Sequence, residues 1–132
     1  MVSQIPRPAM AFSLDRRGQR KPRQTSAKHL AWIRSLPSLV PGVEPVQAAH
    51  IRFADHRYAK PHVGMGEKPD DIFVVPLAGD AHRAQHAMNE RQFWIDKGID
   101  PVAVALCLWA YSGNEEAALI IIRNAKQIGR VQ

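Results

Sequence analysis

The sequence predicts an α+β fold on three observations. Two short runs rich in β-branched and apolar residues, 46–53 and 72–77, have the length of strands. Capped segments with helical spacing lie before and after them. A long polar stretch, 54–70, separates the two runs. At 132 residues and 14.8 kDa the chain has room for one compact domain beside an arm, and not for two.

The arm comes first. Residues 1–28 hold Arg7, Arg16, Arg17, Arg20, Lys21, Arg23 and Lys28 against the single acid Asp15. The rest of the chain carries eleven basic and eleven acidic groups and is neutral. The whole net charge of +6 therefore sits in a Pro-, Arg- and Gln-rich segment without apolar periodicity. Such an arm suits a polyanion better than a small neutral ligand; the plainer reading is a solvated tail.

The elements of 29–132 follow in order. Ser26 is placed to cap a helix over 29–36, with Leu30, Ile33 and Trp32 on its inner side. Pro37, Pro41, Gly42 and Pro45 then force turns before the strand at 46–53. The loop 54–70 carries His56, Lys60, His62, the Gly64-Met65-Gly66 turn and Lys68, and a loop this long usually binds something or moves. After the strand at 72–77, Asp80 reads as the N-cap of a helix over 81–97, which Gly98 ends. Asp100 with Pro101 opens a helix to about 111 whose Val104 and Leu108 seek a core. Past the Ser112-Gly113-Asn114 turn, a last helix over 115–127 is strongly apolar at Ile120, Ile121 and Ile122.

Composition excludes several classes. An apolar fraction of 45% argues against global disorder. No run approaches the roughly 20 apolar residues of a membrane helix. Pro6, Pro8 and Asp15 interrupt any signal-peptide core, so the cytoplasm is expected. One cysteine, Cys107, allows neither an intramolecular disulfide nor a thiolate metal cage, and between Leu106 and Leu108 it reads as a small core hydrophobe.

Five of the six histidines, His50, His56, His62, His82 and His86, fall within a 37-residue window of the sequence. His82 and His86 are four apart on a predicted helix, so their imidazoles project from one face one turn apart, a spacing that suits two bonds to one divalent ion. A solvated pair is the commoner use of that spacing; the strand, polar loop, strand, helix context with His50 at the first strand's end favours ligation.

These residues resemble a known family. Ala48-Ala49-His50-Ile51-Arg52, then Gly64-Met65-Gly66-x-Lys68-x-x-Asp71, then Val75-Pro76-Leu77-x4-His82-Arg83-x-x-His86 is similar to the HNH endonucleases. More narrowly, with Asn89-Glu90-Arg91-x-Phe93-Trp94 and Gly98-Ile99-Asp100-Pro101, it resembles the phage and prophage branch related to RecA-dependent recombination-enhancement nucleases. The resemblance covers about residues 29–110. It implies a ββα-metal hairpin and helix, here with flanking N- and C-terminal helices, and a metal-dependent DNA endonuclease in recombination or DNA processing. His50 would be the general base, His82 and His86 the ligands of one Mg, Mn or Zn ion, and Asp71 a further ligand or the group that orients His50. Arg52, Lys60, Lys68 and Arg83, with the arm's Arg16, Arg17, Arg20, Lys21 and Arg23, would contact DNA. A recombinase partner is compatible with the resemblance, and the form of the nucleic acid stays open.

The departures are specific. Many relatives hold a structural zinc on four cysteines; the matching positions here are Ser38, Pro41, Ala78 and Ala81, so no structural zinc is expected. Ala49 stands where a ligand often precedes the base, and the family's central Asn lacks a match, Phe73 lying near its place. His56 or His62 could supply the missing ligand. Two other readings remain: a degenerate HNH-like scaffold that binds nucleic acid without cutting, and a small helical interaction protein whose apolar last helix docks on a partner, including a second copy.

Overall fold

A computed structural model describes residues 25–63 and 69–129. Those residues form an α+β fold: α1 (Ala27–Arg34), β1 (Val46–His50), β2 (Val74–Ala78), α2 (Gly79–Ala87), α3 (Glu90–Lys97), α4 (Pro101–Ala110) and α5 (Glu115–Arg123). Single 3-10 turns lie at His56–Tyr58 and Ala125–Gln127. No helix among the described residues is long and apolar enough to cross a membrane.

The strands pair antiparallel in a two-stranded sheet, from Val46 opposite Ala78 to His50 opposite Val74. Both are shorter than expected, although the Ile51 N–H donates to the Phe73 carbonyl one step beyond the paired residues. β2 is buried along its whole length, and Pro76 leaves no N–H to satisfy on its unpaired edge. The Pro76 carbonyl on that edge accepts from the Leu39 N–H at 2.8 Å, so the proline-rich loop covers it.

α4 packs against β2 and α5, with Val102, Val104, Ala105 and Leu108 fully buried. Asp100 caps it through the Ala103 N–H and Pro101 occupies its first turn, as the sequence indicates. α1 is capped by Ser26, whose Oγ accepts from the His29 N–H, so Lys28 and Ala27 belong to a helix rather than to the arm. In α5 the apolar triplet splits by face. Ile121 is in the core, while Ile120 is 51% exposed.

The helix expected over 81–97 is two helices. Met88 turns to extended backbone (φ −138°, ψ 178°), and Asn89 restarts the chain by accepting from the Gln92 N–H at 3.0 Å. Asp80 is not an N-cap either: α2 starts one residue earlier, and the Asp80 carboxylate reaches back to accept from Val43 and Glu44 N–H at 3.1–3.2 Å. At the same corner Ser38 Oγ accepts from the Ala78 N–H at 2.8 Å. Gly42 must be glycine there, because a Cβ would lie 2.5 Å from that of Ala78.

Candidate active site at the hairpin's open end

The hairpin and α2 decide which side chains meet. β2 delivers the chain at the Val46 end, and α2 turns back along β1. A helix rising about 1.5 Å per residue carries His82 and then His86 along a strand advancing about 3.3 Å per residue, with His50 within electrostatic reach of His82. His82 is accordingly held by β1: its Nδ1–H donates to Gln47 Oε1 at 2.8 Å. That bond fixes the tautomer and leaves the lone pair on Nε2. The Nε2 atoms of His82 and His86 face each other at 3.1 Å. Burial, and then the charges of His86 and His50, hold His82 below the ordinary imidazole range, so it is neutral and a competent ligand at neutral pH.

His50, the last residue of β1, has a side chain 26% exposed. Its Nε2–H donates to Asp71 Oδ1 at 2.8 Å, and Asp71 Oδ2 accepts from the Ser26 N–H at 2.8 Å. Asp71 is buried in the turn before β2, so its carboxylate ties α1's cap to the imidazole and cannot swing away. Nδ1 of His50 then carries the lone pair and has no partner among the described residues.

Two residues that sequence reasoning passed over hold this arrangement together. Glu90 accepts from the Arg52 N–H at 3.3 Å and from Gln85 Nε2 at 2.8 Å, joining the segment after His50 to the turn of α2 that bears His86. Burial pushes the Glu90 carboxyl up against the pull of Arg52, Lys60 and His86. The break at Met88 makes this contact reachable. Gln47 was legible only as a strand residue, because its role depends on where α2 lands.

The expected DNA contacts fare unequally. Lys60 is 2% exposed, and its Nζ donates to the Phe53 and Pro61 carbonyls at 2.7 and 3.3 Å, so it clamps the loop from inside instead of meeting a phosphate. Burial pulls its pKa down to about 8. Arg83 is exposed but forms a bidentate pair with Glu44 at 2.7–2.8 Å. Arg52 is half-buried at the site. Arg16, Arg17, Arg20, Lys21, Arg23, Lys68 and the Gly64-Met65-Gly66 turn lie outside the described residues. His56 and His62 are exposed in the loop, and Ala49 is fully buried. Among the described residues no group of three His, Cys, Asp or Glu side chains gathers as a complete metal cage. No protein-family model, curated protein or solved structure matches this chain.

Proposed function

We propose that this chain is a metal-dependent DNA endonuclease of HNH (ββα-metal) type, of the phage or prophage branch, hydrolysing phosphodiester bonds in recombination or DNA processing. One observation carries the reading: a carboxylate-oriented histidine at the strand end, His50 on Asp71, stands on the same hairpin-and-helix unit as two imidazoles whose Nε2 atoms converge at 3.1 Å.

His50 Nδ1 takes the proton of the attacking water, and Asp71 keeps the ring in that tautomer and stabilises the imidazolium that forms. His82 and His86 fit one divalent cation, Mg, Mn or Zn. Two nitrogens 3.1 Å apart can share an ion at ordinary bond lengths of about 2.0–2.1 Å, and Gln47 supplies the outer hydrogen bond that orients a ligating imidazole. When bound, such an ion offsets the negative charge that develops on the phosphate. The basic arm draws DNA in without regard to sequence, and a cytoplasmic setting with a recombinase partner accords with the reading.

The test is nicking of supercoiled plasmid by the full chain with Mg²⁺, Mn²⁺ or Zn²⁺, beside His50→Ala and His82→Ala. Nicking that both substitutions remove is expected. No nicking with any of the three ions, together with no bound ion by metal analysis, ends the enzyme reading. Ala49 favours a second one, because the position before His50 is an alanine turned into the core. A scaffold that retains DNA without cutting it would show plasmid binding that deletion of residues 1–24, which spares the Ser26 cap of α1, abolishes.

A further inference from the structure

A cleft of about 430 Å³ opens beyond the histidines, between the segment leaving β1 and the α3–α4 corner. Its wall begins at Phe53, three residues past His50, and continues on Arg91, the neighbour of Glu90. The cleft is therefore joined along the chain to the proposed active site through both Arg52 and Glu90, which hydrogen-bond each other. We infer that this cleft is a subsite for one unstacked nucleotide, and that the DNA acted on is single-stranded where it enters the site. The inference rests on the endonuclease reading for the reaction, but its binding test does not.

The cleft has three features that a splayed nucleotide uses. The first is an aromatic–guanidinium pair. The Arg91 guanidinium lies 4.6 Å from the centroid of the Phe53 ring and is pinned by donation from Nη2 to the Ala54 carbonyl at 2.9 Å. Bases freed from a duplex stack on aromatic rings and guanidinium planes alike. The second is a cationic rim over sunken acids. Arg57, with 49% of its side chain exposed, bridges Asp55 and Asp100, whose side chains are only 6% and 9% exposed. The guanidinium stands outermost with its charge offset by the two acids beneath it, and so fixed it loses little freedom on donating to a ligand. The third is an apolar side wall, where Ile95 is 61% exposed above buried Trp94.

Other ligand classes fit less well. A purely apolar ligand would strip water from two guanidiniums and offer them nothing in return. An acidic aliphatic group would use the cations and leave the stacking plane empty. Paired bases within a duplex present edges rather than faces and cannot enter a concave space of this size.

Fluorescence anisotropy with the full-length chain tests the inference, using a labelled ten-nucleotide oligo-dT strand and a hairpin duplex, without added metal. Arg91→Ala and Phe53→Leu are compared with Arg34→Ala, which removes the same charge from an exposed position of α1 outside the cleft. Circular dichroism checks each fold. The wild type is expected to prefer the single strand, with Arg91→Ala and Phe53→Leu each weakening that binding about tenfold and Arg34→Ala by less than twofold. Equal affinity for strand and hairpin, or folded cleft variants within twofold of wild type, overturns the inference even where plasmid nicking dependent on His50 stands. Cleft-dependent binding without nicking supports it while the endonuclease reading falls.

Discussion

The two ends of the hairpin are built from similar polar residues put to opposite uses. Where Val46 faces Ala78, polar groups close the fold on itself: Ser38 accepts from Ala78, Asp80 from Val43 and Glu44, and Arg83 grips Glu44. Where His50 faces Val74, polar groups are committed to aiming other polar groups. Asp71 aims His50 there and leaves its Nδ1 open, while further back along β1 Gln47 aims His82, whose Nε2 meets that of His86. At the first end Ser38 and Ala78, two positions where the sequence lacks the cysteines of a structural zinc site, are joined by one direct hydrogen bond. The proposed chemistry needs an end of the second kind, with donors and acceptors oriented but not exhausted.

Substitutions at the two ends should separate activity from stability. If His50 is the proposed general base, His50→Ala lowers nicking about 10²- to 10⁴-fold, beside the modest stability cost of one lost hydrogen bond to buried Asp71. Gln47→Leu should weaken Mn²⁺ or Zn²⁺ binding about 10- to 100-fold in calorimetry, since it frees the His82 ring while keeping both ligands. Ser38→Ala should do the reverse. It leaves the buried Ala78 N–H without its acceptor, costing about 1–3 kcal/mol in urea unfolding with nicking retained. If Ser38→Ala lost activity in step with His50→Ala at unchanged stability, the division between the ends would fail.

What the sequence disclosed follows the range of each interaction. Caps act within four residues, so Ser26 and Asp100 with Pro101 are readable and do cap α1 and α4, while Asn114, read as a turn residue, also caps α5. Asp80 carries the same signal, yet its carboxylate serves amides 36 and 37 residues away, which no local rule registers. Asn89 does announce a helix start, but apolar spacing runs on through Phe93 and Trp94 and hides the break. The pairing of His50 with Asp71 came from resemblance, since a 21-residue separation says nothing by itself. Lys60 reads as a surface cation because burial of an ammonium depends on a loop that closes over it. The arrangement of Gln47 under His82 needed the landing place of α2, which only the folded hairpin supplies.

The smallest expected effect concerns that closed loop and is read in the pH dependence of stability. Burial holds Lys60 at about 8, below its ordinary 10.5, so the folded state releases this proton before the unfolded chain does. The ammonium therefore disfavours folding in full below about pH 8, and stability should rise as pH goes from about 8 toward 10. Lys60→Met, which keeps the length without the charge, should flatten that rise in thermal midpoints taken at several pH values. Tyr58 is raised by burial and by Asp100 and pulls the other way at the top of the window, so the slope is read below pH 10. His29 gives a second rise at lower pH: it is 2% exposed beneath Trp32 and Trp109, and burial lowers it against the charge of Asp71. His82 shifts in the same direction, so stability should climb toward pH 6.5, while Glu90 opposes them at the acid edge of that window. The double variant His29→Phe with Lys60→Met would then lose the alkaline rise and the His29 share of the lower one, keeping that of His82. A Lys60→Met protein that kept the full alkaline gain would mean that its ammonium is solvated, and that the loop beside the histidines is open rather than clamped from within.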